Sequence, residues 1–110
     1  MASEFIYQLT DIAQEDFDNM IRYMLENLCN HQAAVTFADD IEHALENLCE
    51  FPFKGPHVDN PYLFVKDVRR LVVRQYIIYY SVNAEKKIIT IIRIRHSLQD
   101  QNSLLGKDAK

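Results

Sequence analysis

The hydrophobic pattern changes period once along this chain, and that change limits what the chain can fold into. Between residues 11 and 50, apolar side chains recur every three or four positions. Between 68 and 96 they crowd into short runs of Val, Ile and Tyr. The first pattern is that of amphipathic helices and the second that of strands. The border lies at Phe51-Pro-Phe-Lys-Gly-Pro56, where two prolines and a glycine stop a helix. Helices grouped ahead of strands, rather than alternating with them, predict an α+β fold.

The elements follow from finer signals. Phe5–Leu9 is a short β-rich run, and Thr10 after it is a helix N-cap, with Asp11, Glu15 and Asp16 near the positive end of the helix dipole. Ala13, Phe17, Met20, Ile21, Met24 and Leu28 predict a continuous helix of about five turns ending near Cys29-Asn30. Ala34, Phe37, Ala38, Ile41, Ala44, Leu45 and Leu48 predict a second helix almost immediately after, so the two form an antiparallel hairpin. Asn60-Pro61 marks a further turn. Val68–Val73, Tyr76–Val82 and Ile88–Arg95 predict an antiparallel meander, joined by Arg74-Gln75 and by Asn83–Lys87, with the N-terminal strand at an edge. The order is β-α-α-β-β-β, a helical hairpin packed on an antiparallel sheet. Residues 1–110 read as one domain with a core over about 5–100. A polar tail, 101–110, holds Leu104-Leu105 as material for at most a short turn or helix.

The sequence Leu-Glu-Asn-Leu-Cys occurs at 25–29 and again at 45–49, which reads as two helix C-terminal segments and not as a repeat architecture. In an antiparallel hairpin Cys29 and Cys49 fall about 25 Å apart, too far for a disulfide, and are expected to be buried free thiols. The chain shows neither an apolar run of membrane-spanning length nor a leader pattern, and a cytoplasmic protein is expected. No cofactor is implied: Walker, Rossmann and His-Glu-x-x-His patterns are absent. Asp39/His43 and Glu42/Glu46 have the spacing of metal ligands, but nothing else converges on them and a solvated helix face is the expectation.

Charge is divided unevenly. Of 12 Lys+Arg and 16 Asp+Glu, residues 1–54 carry only Arg22 and Lys54 against eleven carboxylates, a charge of −9, and residues 55–110 carry +5. Arg69, Arg70, Arg74, Arg93, Arg95 and His96 all fall on or beside the predicted strands. Strict alternation would put Ile89, Ile91, Arg93 and Arg95 on one face and Ile92, Ile94 and His96 on the other. Guanidinium groups in such a row can grip phosphates or the carboxylates of an acidic peptide. The same residues could equally pair with the acidic helices and serve solubility alone. His96 is placed to transfer a proton, its ordinary pKa lying near neutrality, or to cap the strand end. Tyr79 alternates to the face opposite Tyr76 and Tyr80, so at least one of these rings belongs to the core and no continuous base-stacking platform is implied.

Phe51-Pro-x-x-Gly55, Val68-Arg-Arg-Leu-Val-Val73, Tyr76-Ile-Ile-Tyr-Tyr-Ser-Val82 and Ile91-Ile-Arg-Ile-Arg-His96 with Asp100 resemble, in order and spacing, the toxins of bacterial RelE/ParE toxin–antitoxin modules. The helical segment Ala33-Ala34…Phe37…Ile41-Glu42 fits as well, so the resemblance spans about residues 5–100. It implies a microbial-ribonuclease-like α+β fold, a role in plasmid stabilisation, growth arrest when unopposed, and neutralisation by a cognate antitoxin in a hetero-oligomer, with dimers of the chain itself a further expectation. ParE-like members inhibit DNA gyrase by binding, whereas RelE-like members cleave mRNA on the ribosome. Ile77 stands where RelE-like chains carry Arg, no Tyr follows His96, and His96…Asp100 with Arg69-Arg70-Leu71 is similar to ParE-like endings. A net charge of −4 also disfavours a ribosome-bound protein. A gyrase inhibitor binding through Arg69, Arg70, Arg74, Arg93, Arg95 and His96 is therefore the first expectation. The second is an mRNA endonuclease, with Arg70 and Arg93 neutralising the phosphate, His96 as general acid and Asp67 or Glu85 as base. The third is an inert member that binds only an antitoxin.

Overall fold

A computed structural model describes residues 4–58 and 67–100, the side chains of Gln99 and Asp100 excepted. The Asn60-Pro61 turn and the tail 101–110 lie outside the described residues. Strand β1 (Ile6–Leu9) leads into helix α1 (Asp11–Arg22), which runs on as a π-helical turn over Tyr23–Asn27. Helix α2 (His31–Glu50) follows. Strands β2 (Val68–Val73), β3 (Tyr76–Asn83) and β4 (Ile88–His96) come next, and a single turn, α3 (Ser97–Asp100), ends the described chain. The expected element order is present.

Local chemistry sets the boundaries. Thr10 Oγ1 accepts from the Ala13 amide at 3.0 Å and donates to the Ile92 carbonyl at 2.9 Å, so one hydroxyl both caps α1 and ties it to β4. Asn30 caps α2 through the Ala33 amide at 3.0 Å. The first helix departs from the expected regular α-helix. Its last turn widens, with the Leu28 amide bonded to the Tyr23 carbonyl. Met24 is thereby buried while Tyr23 and Leu25 face outward. Cys29, in the link between the helices with φ 50°, is exposed and not buried, and Cys49 is half-buried; neither is in a disulfide.

The sheet order is β1-β4-β3-β2. β2, β3 and β4 form the expected meander, but β1 joins β4 in parallel, with Ile6 opposite Ile88 and Leu9 opposite Ile91, so the sheet is mixed. Two tight turns reverse the chain twice between β2 and β4, which makes β4 run with β2; β1 enters beside β4 in that same direction. The main core fills the space between helices and sheet: Ala34, Phe37, Ile41, Leu45 and Leu48 of α2 meet Ile78, Tyr80, Ile89, Ile91 and Ile94. Each fully buried side chain of this size contributes about 1.5–3 kcal/mol. A smaller cluster of Val68, Ile77 and Tyr79, with Val58 and Ile92, lies on the opposite, outer face. Tyr79 and Tyr80 are thus both core residues, on opposite faces.

Strict alternation fails in β4. Tyr79 pairs with Arg93 and Tyr80 with Ile91, leaving Ile92 as the extra residue of a β-bulge. Ile89 and Ile91 face the helices before the bulge, and Ile94 does so after it. Arg93 and Arg95 therefore stand opposite Tyr79 and Ile77, on the other side of the sheet from Ile89 and Ile91. The expected shared face does not form, because one inserted residue inverts the parity of everything beyond it.

Candidate functional site: a groove at the open edge of β4 and an outer arginine row

β1 ends opposite Ile91, so the last five residues of β4 have no strand on that side. Helix α1 fills the gap. The Asp16 carboxylate accepts from the Ile94 amide at 3.1 Å and from Arg93 Nε and Nη2 at 2.8 and 2.9 Å. One side chain thus supplies the acceptor that a neighbouring strand would have supplied, and clamps a guanidinium in bidentate fashion. The Asp16 hydrogen bond, outweighing burial, raises the Arg93 pKa. The signal for this pair lies within the α1 stripe: Asp16 is three residues after Ala13 and four before Met20, a carboxylate on an apolar face.

Beside the pair lies a groove of about 800 Å³. Met20, Met24, Leu28 and Tyr76 supply apolar surface; Asn19, Gln75, Arg95 and His96 supply polar groups. The His96 ring meets Tyr76 edge-on at 5.4 Å, and its Nδ1 accepts from the Leu98 amide at 3.2 Å. Leu98 also borders the groove and is 66% exposed.

The six expected site residues do not form one continuous surface. Arg69, only 15% exposed, is built into the fold: Nη1 donates to the Phe53 and Gly55 carbonyls at 3.1 and 2.8 Å, Nε lies 3.7 Å from Asp67, and the guanidinium lies over the Phe53 ring. It holds the segment following α2, where the Gly55 amide donates to the buried Tyr80 hydroxyl at 3.0 Å. Burial pushes the Tyr80 phenol up, partly countered by that hydrogen bond and by Arg69. Arg74, in the β2–β3 turn with φ 55°, pairs with Asp40 of α2. Arg93 is held by Asp16. Arg70 is exposed and makes no ion pair with a described residue. On the outer face it stands opposite Tyr79, which stands opposite Arg93; Val72, Ile77 and Arg95 form the next row. Arg70 and Arg95 thus flank an apolar strip, their strands about 9–10 Å apart.

The alternative catalytic set is dispersed. His96 stands beside Tyr76 on the helix side, while Arg70 lies on the outer face. Asp67 is bonded to His57 at 2.5 Å and sits beside Val68, whose partner is Ser81; Glu85 lies in the β3–β4 turn. Both carboxylates are at the end of β3 remote from His96, about 20 Å away at 3.3 Å per strand residue. No group of three or more metal-ligating side chains gathers among the described residues.

A helical hairpin on a four-stranded mixed sheet, with an arginine-bearing outer face and a groove at an open strand edge, defines a small α+β protein. The model of the ParE toxin of type II toxin–antitoxin systems matches residues 7–101, and the chain belongs to that family. Among solved structures it resembles a chain of the chromosomal ParDE toxin–antitoxin system of Pseudomonas aeruginosa. The TM-score is 0.64 at 22% identity, over 84% of this chain and 95% of that one. It also resembles a chain of the RelBE2 toxin–antitoxin complex of Mycobacterium tuberculosis, with TM-score 0.59 at 19% identity, over 84% and 96%. No curated protein sequence matches. No helix among the described residues is long and apolar enough to cross a membrane.

Proposed function

We propose that this protein is the toxin of a type II toxin–antitoxin pair in the cytoplasm. In this reading it arrests growth by binding DNA gyrase without cleaving RNA, and a cognate antitoxin neutralises it. The observation that carries the choice of mechanism is the dispersal of Arg70, Arg93 and His96. Phosphodiester cleavage needs a proton-transfer group and cationic groups converging within hydrogen-bond reach of one phosphate. Here Arg93 is bound to a carboxylate of its own chain, His96 and Arg70 stand on opposite faces, and the candidate bases Asp67 and Glu85 lie at the end of β3 remote from His96.

Binding requires less. Arg70 on the outer face suits a carboxylate of a protein target, and the groove, lined in part by Arg95, suits a segment of the antitoxin with apolar side chains. The solved complexes of ParDE and RelBE2, whose chains share this fold, support an antitoxin partner.

The test is induced expression in cells, followed by purification. Growth arrest, loss of gyrase supercoiling in vitro and intact mRNA on translating ribosomes are the expected results, with Arg70→Ala relieving the arrest. Codon-spaced mRNA ends would refute the binding mechanism. Neither activity, with antitoxin binding retained, would leave only an inert member.

A further inference from the structure

We infer that Gly55 and Tyr80 are positioning residues for Arg70. They anchor a strap, Pro56–Val58, that lies along the edge of β2 and sets the direction in which Arg70 leaves the sheet. This role rests on the docking of Arg70 proposed above.

Ladder geometry makes Arg70 dependent on the strap. The Arg70 amide donates to the Pro56 carbonyl at 3.1 Å and the Val58 amide to the Val68 carbonyl at 2.8 Å, so His57 faces Arg69 in an antiparallel bridge. The Arg70 amide thus points away from β3, and its ladder bond is made to the strap. Without the strap that bond is lost and Arg70 stands on a bare sheet edge. Pro56 has no N–H to return a bond to the Arg70 carbonyl, so the ladder stops there. Gly55 fills the place: a Cβ on it would collide with both the Arg70 carbonyl oxygen and the Tyr80 hydroxyl.

Both polar backbone groups of Gly55 are committed to this anchor. Its amide donates to Tyr80 Oη at 3.0 Å, and its carbonyl accepts from Arg69 Nη1 at 2.8 Å. Tyr80 is fully buried and stands opposite Arg69, one register step from the Tyr79–Arg70 pair. A core side chain therefore fixes the near end of the strap. The far end is fixed by Val58, packed against the cluster of Val68, Ile77 and Tyr79, and by His57, whose Nε2 lies 2.5 Å from Asp67 Oδ1. Held between two fixed ends, the Arg70 backbone gives its exposed side chain a defined base. Preorganisation of this kind lowers the ordering cost when a partner's carboxylate arrives.

Tyr80→Phe removes the acceptor of the Gly55 amide and keeps the ring in the core. Hydrogen exchange followed by NMR should show the Arg70 amide exchanging about tenfold faster relative to the Ile78 amide, which lies at the buried centre of β3 and reports global unfolding. An unchanged ratio would overturn the inference. Inhibition of gyrase supercoiling is the second measurement, made where circular dichroism shows each variant folded. Tyr80→Phe should weaken it about threefold or more in the otherwise unmodified chain and leave it unaltered in the Arg70→Ala chain, because both positions act through one guanidinium. Additive losses would overturn the inference, since a general structural defect adds to the loss of Arg70. So would full inhibition by Tyr80→Phe when Arg70→Ala itself is impaired. No inhibition by the unmodified chain, or none lost in Arg70→Ala, refutes the docking function instead, and the exchange ratio then decides the positioning. Should Tyr80→Phe not fold, Val58→Pro, which deletes the Val58–Val68 bond, takes its place with the same expectations.

Discussion

Replacing Asp16 removes three hydrogen bonds to one carboxylate: two from Arg93 and one from the Ile94 amide. Hydrogen bonds to charged groups are worth about 1.5–3 kcal/mol each when isolated, but these three share an acceptor and are not additive. The Arg93 side chain is 27% exposed and Asp16 14%, so the freed guanidinium recovers part of its hydration, and the 3–5 kcal/mol cost of breaking a fully buried pair is an upper bound. The Ile94 amide has no strand beside it to accept its proton. We therefore expect Asp16→Ala to lower stability by about 2–3 kcal/mol, and Asp16→Asn, which keeps an acceptor for that amide, by about half as much. In a domain of this size the larger loss lowers the thermal midpoint by roughly 10 °C. Urea unfolding followed by circular dichroism measures it, with the denaturant slope unchanged. A double-mutant cycle with Arg93→Met should yield a coupling of about 1–2 kcal/mol. A loss below about 0.5 kcal/mol for Asp16→Ala, or independent effects at the two positions, would show that α1 is not fastened to the open edge of β4 through this carboxylate.

Gly55→Ala should destabilise by about 3 kcal/mol or more, because the added Cβ would lie 2.3 Å from the Arg70 carbonyl oxygen; chemical denaturation reads the loss directly. Burial raises the Tyr76 and Tyr80 phenols above the ordinary 10.0, so the folded protein holds these protons more tightly than the unfolded chain. Their contribution is complete below pH 10 and declines as pH rises through the raised folded values; the urea midpoint should fall over that range, and less steeply in Tyr80→Phe. At neutral pH Tyr80→Phe should cost about 1–3 kcal/mol through the unpaired Gly55 amide. Arg69→Ala should lower the urea midpoint measurably through its lost carbonyl contacts, whereas Arg70→Ala should leave stability within about 0.5 kcal/mol and weaken growth arrest; equal stability losses at the two positions would contradict the assignment of one to the fold and the other to docking.

Sequence alone was enough to determine whatever depends on short-range geometry. The apolar stripes of α1 and α2, the Thr10 cap, the meander and the opposed faces of Tyr79 and Tyr80 follow from a helix repeat of 3.6 and a strand repeat of two, and the ordered motifs carried the family likeness. Tertiary structure decided what depends on closure. The parallel seat of β1, the bulge at Ile92 and the widened turn at Tyr23–Asn27 leave no local periodic trace. The fate of the arginines was likewise outside the reach of periodicity. Arg93 finds its carboxylate 77 residues away, Arg74 finds Asp40 at a separation of 34, and Arg69 turns to the Phe53 and Gly55 carbonyls, so among these four Arg70 alone stays outward without a described ion pair. A charge pattern counts guanidinium groups, but which of them remains available is settled only when the folded chain sets acceptors against them.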